Sequence, residues 1–179
     1  NIENYHPNGM LREKGVLKDG KVFGEWIYCY ESGEKNRVIN FDKNGKPLNI
    51  IKWYKNGQKW LECKDFKEGV ESVWYENGQK KYESSIKNTI VHGPHTRWYE
   101  NGNKQYEGTF NNGISEGNSI LYYENGQKKM EGFVKNDLGV GPHVIWDENG
   151  KVIWEGDFKK NKPINDEGFP YSLFPNFNR

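Results

Sequence analysis

The segments Trp98-Tyr99-Glu100-Asn101-Gly102 and Tyr122-Tyr123-Glu124-Asn125-Gly126-Gln127 stand 24 residues apart. Between them runs Tyr106-Glu107-Gly108-Thr109-Phe110-Asn111-Asn112-Gly113. The glycine that closes the first two segments recurs at Gly9, Gly33, Gly57, Gly78, Gly102, Gly126 and Gly150, with spacings of 24, 24, 21, 24, 24 and 24. A fixed period of this length signals a repeat architecture, in which each unit buries its apolar surface only against its neighbours. One three-residue deletion, between Gly57 and Gly78, interrupts it. A second turn signal falls about half a period later, at Asp19-Gly20, Asn44-Gly45, Glu68-Gly69, Lys87-Asn88, Asn112-Gly113, Asn136-Asp137 and Asn161-Lys162. Each repeat is therefore two short segments and two turns.

Aligned on the turn glycine, the segments read as strands. Four residues before it stand Tyr5, Cys29, Trp53, Trp74, Trp98, Tyr122 and Trp146, and two further back Ile27, Ile51, Ser72, Thr96, Ile120 and Val144. The fourth position after it carries Leu61, Tyr82, Tyr106, Met130 and Trp154; the eighth carries Leu17, Phe41, Ile86, Phe110, Val134 and Phe158. Alternation of β-branched and aromatic residues with polar ones is the strand pattern. These even offsets predict one apolar face, with Trp53, Trp74, Trp98, Tyr122 and Trp146 as its structural aromatic column. The odd offsets predict the opposite face. It would carry a glutamate column, Glu62, Glu83, Glu107, Glu131 and Glu155, and a tyrosine column, Tyr30, Tyr54, Tyr75, Tyr99 and Tyr123. Even offsets on both sides of the turn require a loop of odd length, so a three-residue loop is predicted, such as Glu76-Asn77-Gly78, with the glycine left-handed. Two further glycine columns, Gly24, Gly69, Gly93, Gly117, Gly141 and Gly15, Gly108, Gly132, Gly156, predict bulges or bare backbone on which rings pack.

These residues resemble the MORN repeat, and more closely its 24-residue bacterial variant, in which a tyrosine-rich segment leads into Glu-Asn-Gly-Gln. Proteins of that kind include the YwqK-like antitoxins and exported 24-residue-repeat proteins. The resemblance runs from Tyr5 to Lys162, with Cys29 departing from the aromatic column and Ile39 and Cys63 from the glycine column. It implies an all-β fold: hairpins stacked side by side in an elongated, curved, single-layer antiparallel sheet. Seven repeats give about fourteen strands, roughly 65 Å at about 4.8 Å each. It implies binding rather than catalysis. Residues 1–162 form the expected repeat array. Residues 163–179, with Phe169, Pro170, Tyr171, Leu173, Phe174, Pro175 and Phe177, lose the period and read either as a cap or as a docking segment.

Composition agrees with this reading. Among 179 residues there is no alanine, the best helix former, and there are 22 asparagines. Aromatics are 15% of the chain although only 34% is hydrophobic, which argues against disorder and against a thick two-layer core. The 26 Lys+Arg against 25 Asp+Glu leave no basic footprint for nucleic acid. No run approaches the ~20 apolar residues of a membrane-spanning helix.

The sequence carries no catalytic constellation, no cofactor motif and no metal-ligand set. The triplet Gly-Pro-His occurs at Gly93-Pro94-His95 and Gly141-Pro142-His143, but four strand spacings, roughly 19 Å, separate the two histidines. His92 and His95 read as a surface pair. Cys29 and Cys63 would lie roughly 14 Å apart, too far for a disulfide, and read as free packed thiols. The glutamates, one per repeat, read as a solvated ladder alternating with lysines. The tyrosine column is the candidate interaction surface, since Tyr is enriched where proteins recognise one another; its other reading is a shield over the second face of the sheet. The expectation is a non-enzymatic protein-binding scaffold, of the immunity or antitoxin kind with a toxin as partner. The alternative is an exported envelope protein that binds lipid or glycan. What precedes Asn1 would decide between a bacterial cytoplasmic and an exported location.

Overall fold

The structure, a computed structural model, describes residues 1–174. Among the described residues sixteen antiparallel strands form one open sheet whose order follows the chain, except that the two-residue strand Ile114–Ser115 pairs only with the strand before it; the only helix among them is a single 3-10 turn, Tyr171–Leu173. The chain divides into two compact units. The first, Asn1–Ile90, contains β1 (Ile2–Tyr5), β2 (Leu11–Lys18), β3 (Lys21–Cys29), β4 (Lys35–Phe41), β5 (Pro47–Trp53), β6 (Lys59–Cys63), β7 (Glu68–Trp74) and β8 (Lys80–Lys87). The second, from Val91 on, contains nearly all of β9 (Ile90–Trp98), then β10 (Lys104–Asn111), β11 (Ile114–Ser115), β12 (Gly117–Tyr122), β13 (Lys128–Lys135), β14 (Leu138–Trp146), β15 (Val152–Lys159) and β16 (Lys162–Pro163).

The three-residue loop expected at each anchor glycine is present. Tyr75 donates its N–H to Gln79 O at 2.8 Å and accepts from Gly78 N–H at 3.0 Å; the same pair of bonds closes Tyr54 to Gln58, Tyr99 to Asn103 and Tyr123 to Gln127. The seven anchor glycines have φ between +82° and +97°. Asparagine precedes six of the seven, Gly33 following Ser32, because its side chain ties the loop together. In the loops of Gly57, Gly102 and Gly126, the Asn56, Asn101 and Asn125 Oδ1 atoms accept the N–H two residues on, at 2.9 Å in each case. Their Nδ2 atoms donate to the next loop's backbone, at Glu76 O, Glu124 O and Glu148 O. Replacing Gly102 by alanine is expected to destabilise the chain by about 1–2 kcal/mol, because a Cβ is strained in the left-handed region. Urea denaturation checks this; a change under about 0.5 kcal/mol would contradict it.

The half-period turns are of another type. Asp19-Gly20, Asn88-Thr89, Asn112-Gly113, Asn136-Asp137 and Lys160-Asn161 have positive φ at both residues, the mark of the two-residue type I′ turn. Two expected positions, Lys87-Asn88 and Asn161-Lys162, are each off by one residue. Lys43-Asn44-Gly45 is instead a three-residue loop closed between Asp42 and Lys46. Glu68-Gly69 is not a turn: both residues lie in β7, and Lys64 to Lys67 make the connection. The three-residue deletion therefore falls at the end of β6, which has 5 residues where β8 and β10 have 8.

The predicted division of the faces is corrected by a bulge. In β7 and β8, Trp74 opposes Lys80 but Val73 opposes Tyr82, so Lys81 is an extra residue. The same shift recurs in all seven hairpins, at Arg12, Asn36, Trp60, Lys81, Gln105, Lys129 and Ile153. One extra residue exchanges the faces of everything beyond it. The columns four and eight residues after the glycine thus share a face with the tyrosines, not with the Trp column. The glutamates join the tryptophans. Most of the buried side chains lie on the tyrosine face: Trp26, Cys63, Val73 and Ile86 in the first unit, and Ile145, Trp154 and Phe158 in the second.

Glycine shapes this face as expected. Gly24, Gly93, Gly117 and Gly141 have positive φ. A Cβ on Gly15 would meet Trp26 Cδ2 at 2.3 Å, and one on Gly156 would meet Trp154 Cζ2 at 2.6 Å. Rings therefore lie on bare backbone. From the tail, Phe169 and Phe174 join Ile145, Trp154 and Phe158 in one cluster, with Phe169 edge-on to Trp154 at 5.2 Å. Pro175 and Phe177 of the expected cap lie outside the described residues.

Candidate binding surfaces

The Trp face is an ion-paired ladder. Lysine stands two residues after the anchor glycine and glutamate five. On a regular strand such residues point to opposite sides, but the bulge between them brings them to one side. Lys59–Glu62, Lys80–Glu83, Lys104–Glu107 and Lys128–Glu131 pair at 3.0, 2.7, 2.7 and 2.6 Å. Lysine also covers the next ring of the Trp column: Lys59 Nζ lies 5.1 Å from the Trp74 centroid and Lys128 Nζ 5.7 Å from that of Trp146. Trp53, Trp74, Trp98, Tyr122 and Trp146 are half-buried. Lys80 and Ser72, by hydrogen bonding, hold the Glu83 carboxyl below its ordinary range against the opposing effect of burial. Tyr122 Oη donates to Glu107, and burial together with that carboxylate pushes the phenol up. Glu62, Glu83, Glu107 and Glu131 are thus held in ion pairs, where a solvated ladder was expected; Glu155 is exposed, and Val152 stands where the other hairpins carry the lysine.

The tyrosine column is not a row of exposed rings. Tyr123 is buried and Tyr30, Tyr54, Tyr75 and Tyr99 are half-buried. Their hydroxyls latch one hairpin to the next: Tyr30 donates to Trp53 O, Tyr54 to Trp74 O, Tyr99 to Tyr122 O and Tyr123 to Trp146 O, at 2.8–2.9 Å. The bulge residue packs on the ring of its own hairpin. Lys81 Nζ is 5.3 Å from the Tyr75 centroid, Lys129 Nζ 5.5 Å from Tyr123, and Trp60 lies 6.3 Å from Tyr54.

On this face the second unit carries a groove of about 470 Å³, walled by His95, Arg97, Tyr99, Tyr106, Phe110, Leu121 and Lys129. It is open, aromatic and free of acidic side chains. Its floor is His95, which the sequence placed at the surface. The ring is 7% exposed and packs against Tyr106 and Phe110, with centroids 5.9 and 5.4 Å away. Arg97 Nε–H donates to His95 Nε2 at 3.0 Å. Since a guanidinium only donates, Nε2 is the unprotonated nitrogen and the ring is neutral. Its neighbour His92 is half-buried and accepts the Asn112 N–H at Nδ1.

His143, in the equivalent column, is 1% exposed and stacked on Phe158 at 4.2 Å and 12°. Burial pushes both imidazoles below the ordinary 6.5; Arg97 adds to this at His95, while Gly141 O and Asp157 oppose it at His143. The unfolded chain therefore takes up protons before the folded one, and the fold loses stability as pH falls below about 6.5. The melting temperature is expected to fall between pH 7 and pH 5, and His143→Gln to flatten that slope. A pH-independent melting temperature would contradict it. Cys63 is fully buried, its thiol pushed up to about 11 by burial, and Cys29 is half-buried; both are free.

The geometry defines a hairpin-repeat array whose polar groups hold its own turns and columns together. Three consecutive segments, residues 67–88, 91–112 and 115–136, match the family model of the MORN repeat variant. Each matched segment is one hairpin, taken between two half-period turns. MORN repeats are commonly binding or scaffold modules and are generally non-catalytic. Comparison with curated proteins finds no match.

Proposed function

We propose that this chain is a non-catalytic scaffold that binds another protein through its tyrosine-bearing face, of which Tyr99 is part. The groove of the second unit carries the reading: an aromatic-walled, solvent-open depression with two cations, in a surface whose other columns are latched or ion-paired. Aromatic anchors within a polar rim are the anatomy of protein interfaces. In finer terms the scaffold is a bacterial immunity or antitoxin protein that covers a toxin surface, a reading supported by the 24-residue repeat. The test is cross-linked affinity capture from the native cell, followed by reconstitution with the purified chain. A stoichiometric complex, with growth rescued where the captured protein is toxic, is expected. A chain that forms no such complex overturns the reading.

The alternative is an exported protein that binds envelope lipid or glycan. The observation favouring it is the same pair of aromatic walls, Tyr99 and Tyr106, on which a sugar ring could stack. Co-sedimentation with peptidoglycan or with liposomes decides it.

A further inference from the structure

Four lysines of the Trp face are ion-paired in register. Lys59, Lys80, Lys104 and Lys128 each hold the glutamate three residues on. The two cations of the groove differ. Among the described residues neither Arg97 nor Lys129 has a carboxylate within 4.0 Å, and no acidic side chain lines the groove. Arg97 is also aimed. Its Nε–H is fixed by His95, and the His95 ring is fixed in turn by Tyr106 and Phe110. The exposed terminal amino groups of the guanidinium keep their donors. A planar fork of N–H groups, held by a second residue and left without an anion, matches a carboxylate.

The surroundings specify what flanks that carboxylate. Tyr99, Phe110 and Leu121 give the groove apolar walls. Lys129 shows how this chain already uses its cation: the ammonium lies 5.0 Å from the Phe174 centroid and 5.5 Å from that of Tyr123. An aromatic ring beside Lys129 is thus compatible with the local packing.

We propose that the groove of the second unit is a carboxylate site centred on Arg97, and that it takes an acidic side chain flanked by an aromatic or large apolar residue on an extended segment of a partner protein. The charge complementarity of Arg97 and Lys129 selects the acid, and the ring walls select its neighbour. This rests on the protein-binding reading above and makes it specific. Arg97 serves as the recognition residue and His95 as the group that positions it.

The probes are acetyl-Gly-Glu-Phe-Gly-amide, its glutamine counterpart and phenyl phosphate, titrated into the full chain. The readout is NMR of the Arg97 Nε–H and of the backbone around Lys129. The glutamate peptide is expected to bind at least about tenfold tighter than the glutamine peptide, the size of one charge-assisted hydrogen bond. Arg97→Gln should remove that difference and Lys129→Gln should reduce it, in chains that keep the β-sheet circular dichroism of wild type; both lower the melting temperature by a few degrees, since Arg97 is the donor to the buried His95 Nε2 and Lys129 packs on Tyr123 and Phe174. Equal affinity for the two peptides, or an unaltered preference in Arg97→Gln, overturns the assignment. So does phenyl phosphate binding in preference to the carboxylate. If a captured partner binds wild type and Arg97→Gln equally, the assignment fails and the scaffold reading stands. If the glutamate peptide shows its preference but no protein complex forms, the carboxylate site stands and the scaffold reading fails.

Discussion

Gly132→Ala is expected to destabilise the chain by about 3 kcal/mol, the upper range for overpacking a closed site. The backbone of Gly132 is not left-handed, so its conformation tolerates a Cβ; the obstacle is His143. A Cβ there would stand 2.1 Å from His143 Cδ2 and 2.3 Å from Nε2. The imidazole cannot retreat. Phe158 is stacked on it at 4.2 Å, and Nδ1 is held 3.0 Å from Gly141 O. The ring is a slab between bare backbone and a phenyl ring. Urea denaturation of Gly132→Ala, His143→Ala and the double variant measures the effect. The double variant should lose less than the sum of the two single changes, because removing the imidazole vacates the space the methyl needs. A Gly132→Ala chain within about 0.5 kcal/mol of wild type would contradict the packing.

Phe158→Ala is expected to lose about 3–5 kcal/mol, as for a large ring removed from a closed core. Phe158 is 2% exposed and meets His143, Trp154 at 5.6 Å and Phe169 at 5.8 Å. It is therefore the residue through which the last hairpin and the tail share a core. Its loss should do two things at once: lower stability, and speed proteolysis between Ile164 and Phe174. Phe169→Ala separates them, since it should release the tail while leaving His143 stacked on Phe158. Equal proteolysis of wild type and Phe158→Ala would show that the tail is held by other contacts.

The repeat, the strands and the three-residue loop were legible in the sequence because each leaves a mark at a fixed spacing. Gly78 and its six counterparts mark where φ must be positive, and the rings four residues earlier mark the strand. The face assignment was not legible from alternation, because a one-residue bulge keeps the period at 24 and needs no glycine. A signal did exist. Lys59 and Glu62, Lys80 and Glu83, Lys104 and Glu107, and Lys128 and Glu131 are opposite charges three apart, a spacing that a regular strand would hold on opposite sides. Four such pairs in register imply a residue out of step between them. The buried histidines were missed for a different reason. Taken singly, histidine belongs at the surface, but His143 shares its column with Trp26, and both lie on a glycine of the preceding strand. The groove was beyond reach, because it depends on where Arg97 and Lys129 meet after the faces are exchanged. The tyrosine column was found as a column; what each hydroxyl does depends on a backbone carbonyl of the next hairpin, which no side-chain pattern reveals.

The bulge also divides the labour of the chain. The columns on either side of it obey the array: the position before it is lysine in five of the seven hairpins, and the position after it is leucine, methionine or a ring in five. The bulge itself holds arginine, asparagine, tryptophan, lysine, glutamine, lysine and isoleucine, with no shared chemistry. It has no cross-strand partner, so changing its side chain disturbs no register. Two of these seven, Gln105 and Lys129, line the groove. A protein built this way can acquire a new specificity by drift at single unpaired positions, one per hairpin, while the sheet beneath stays the same.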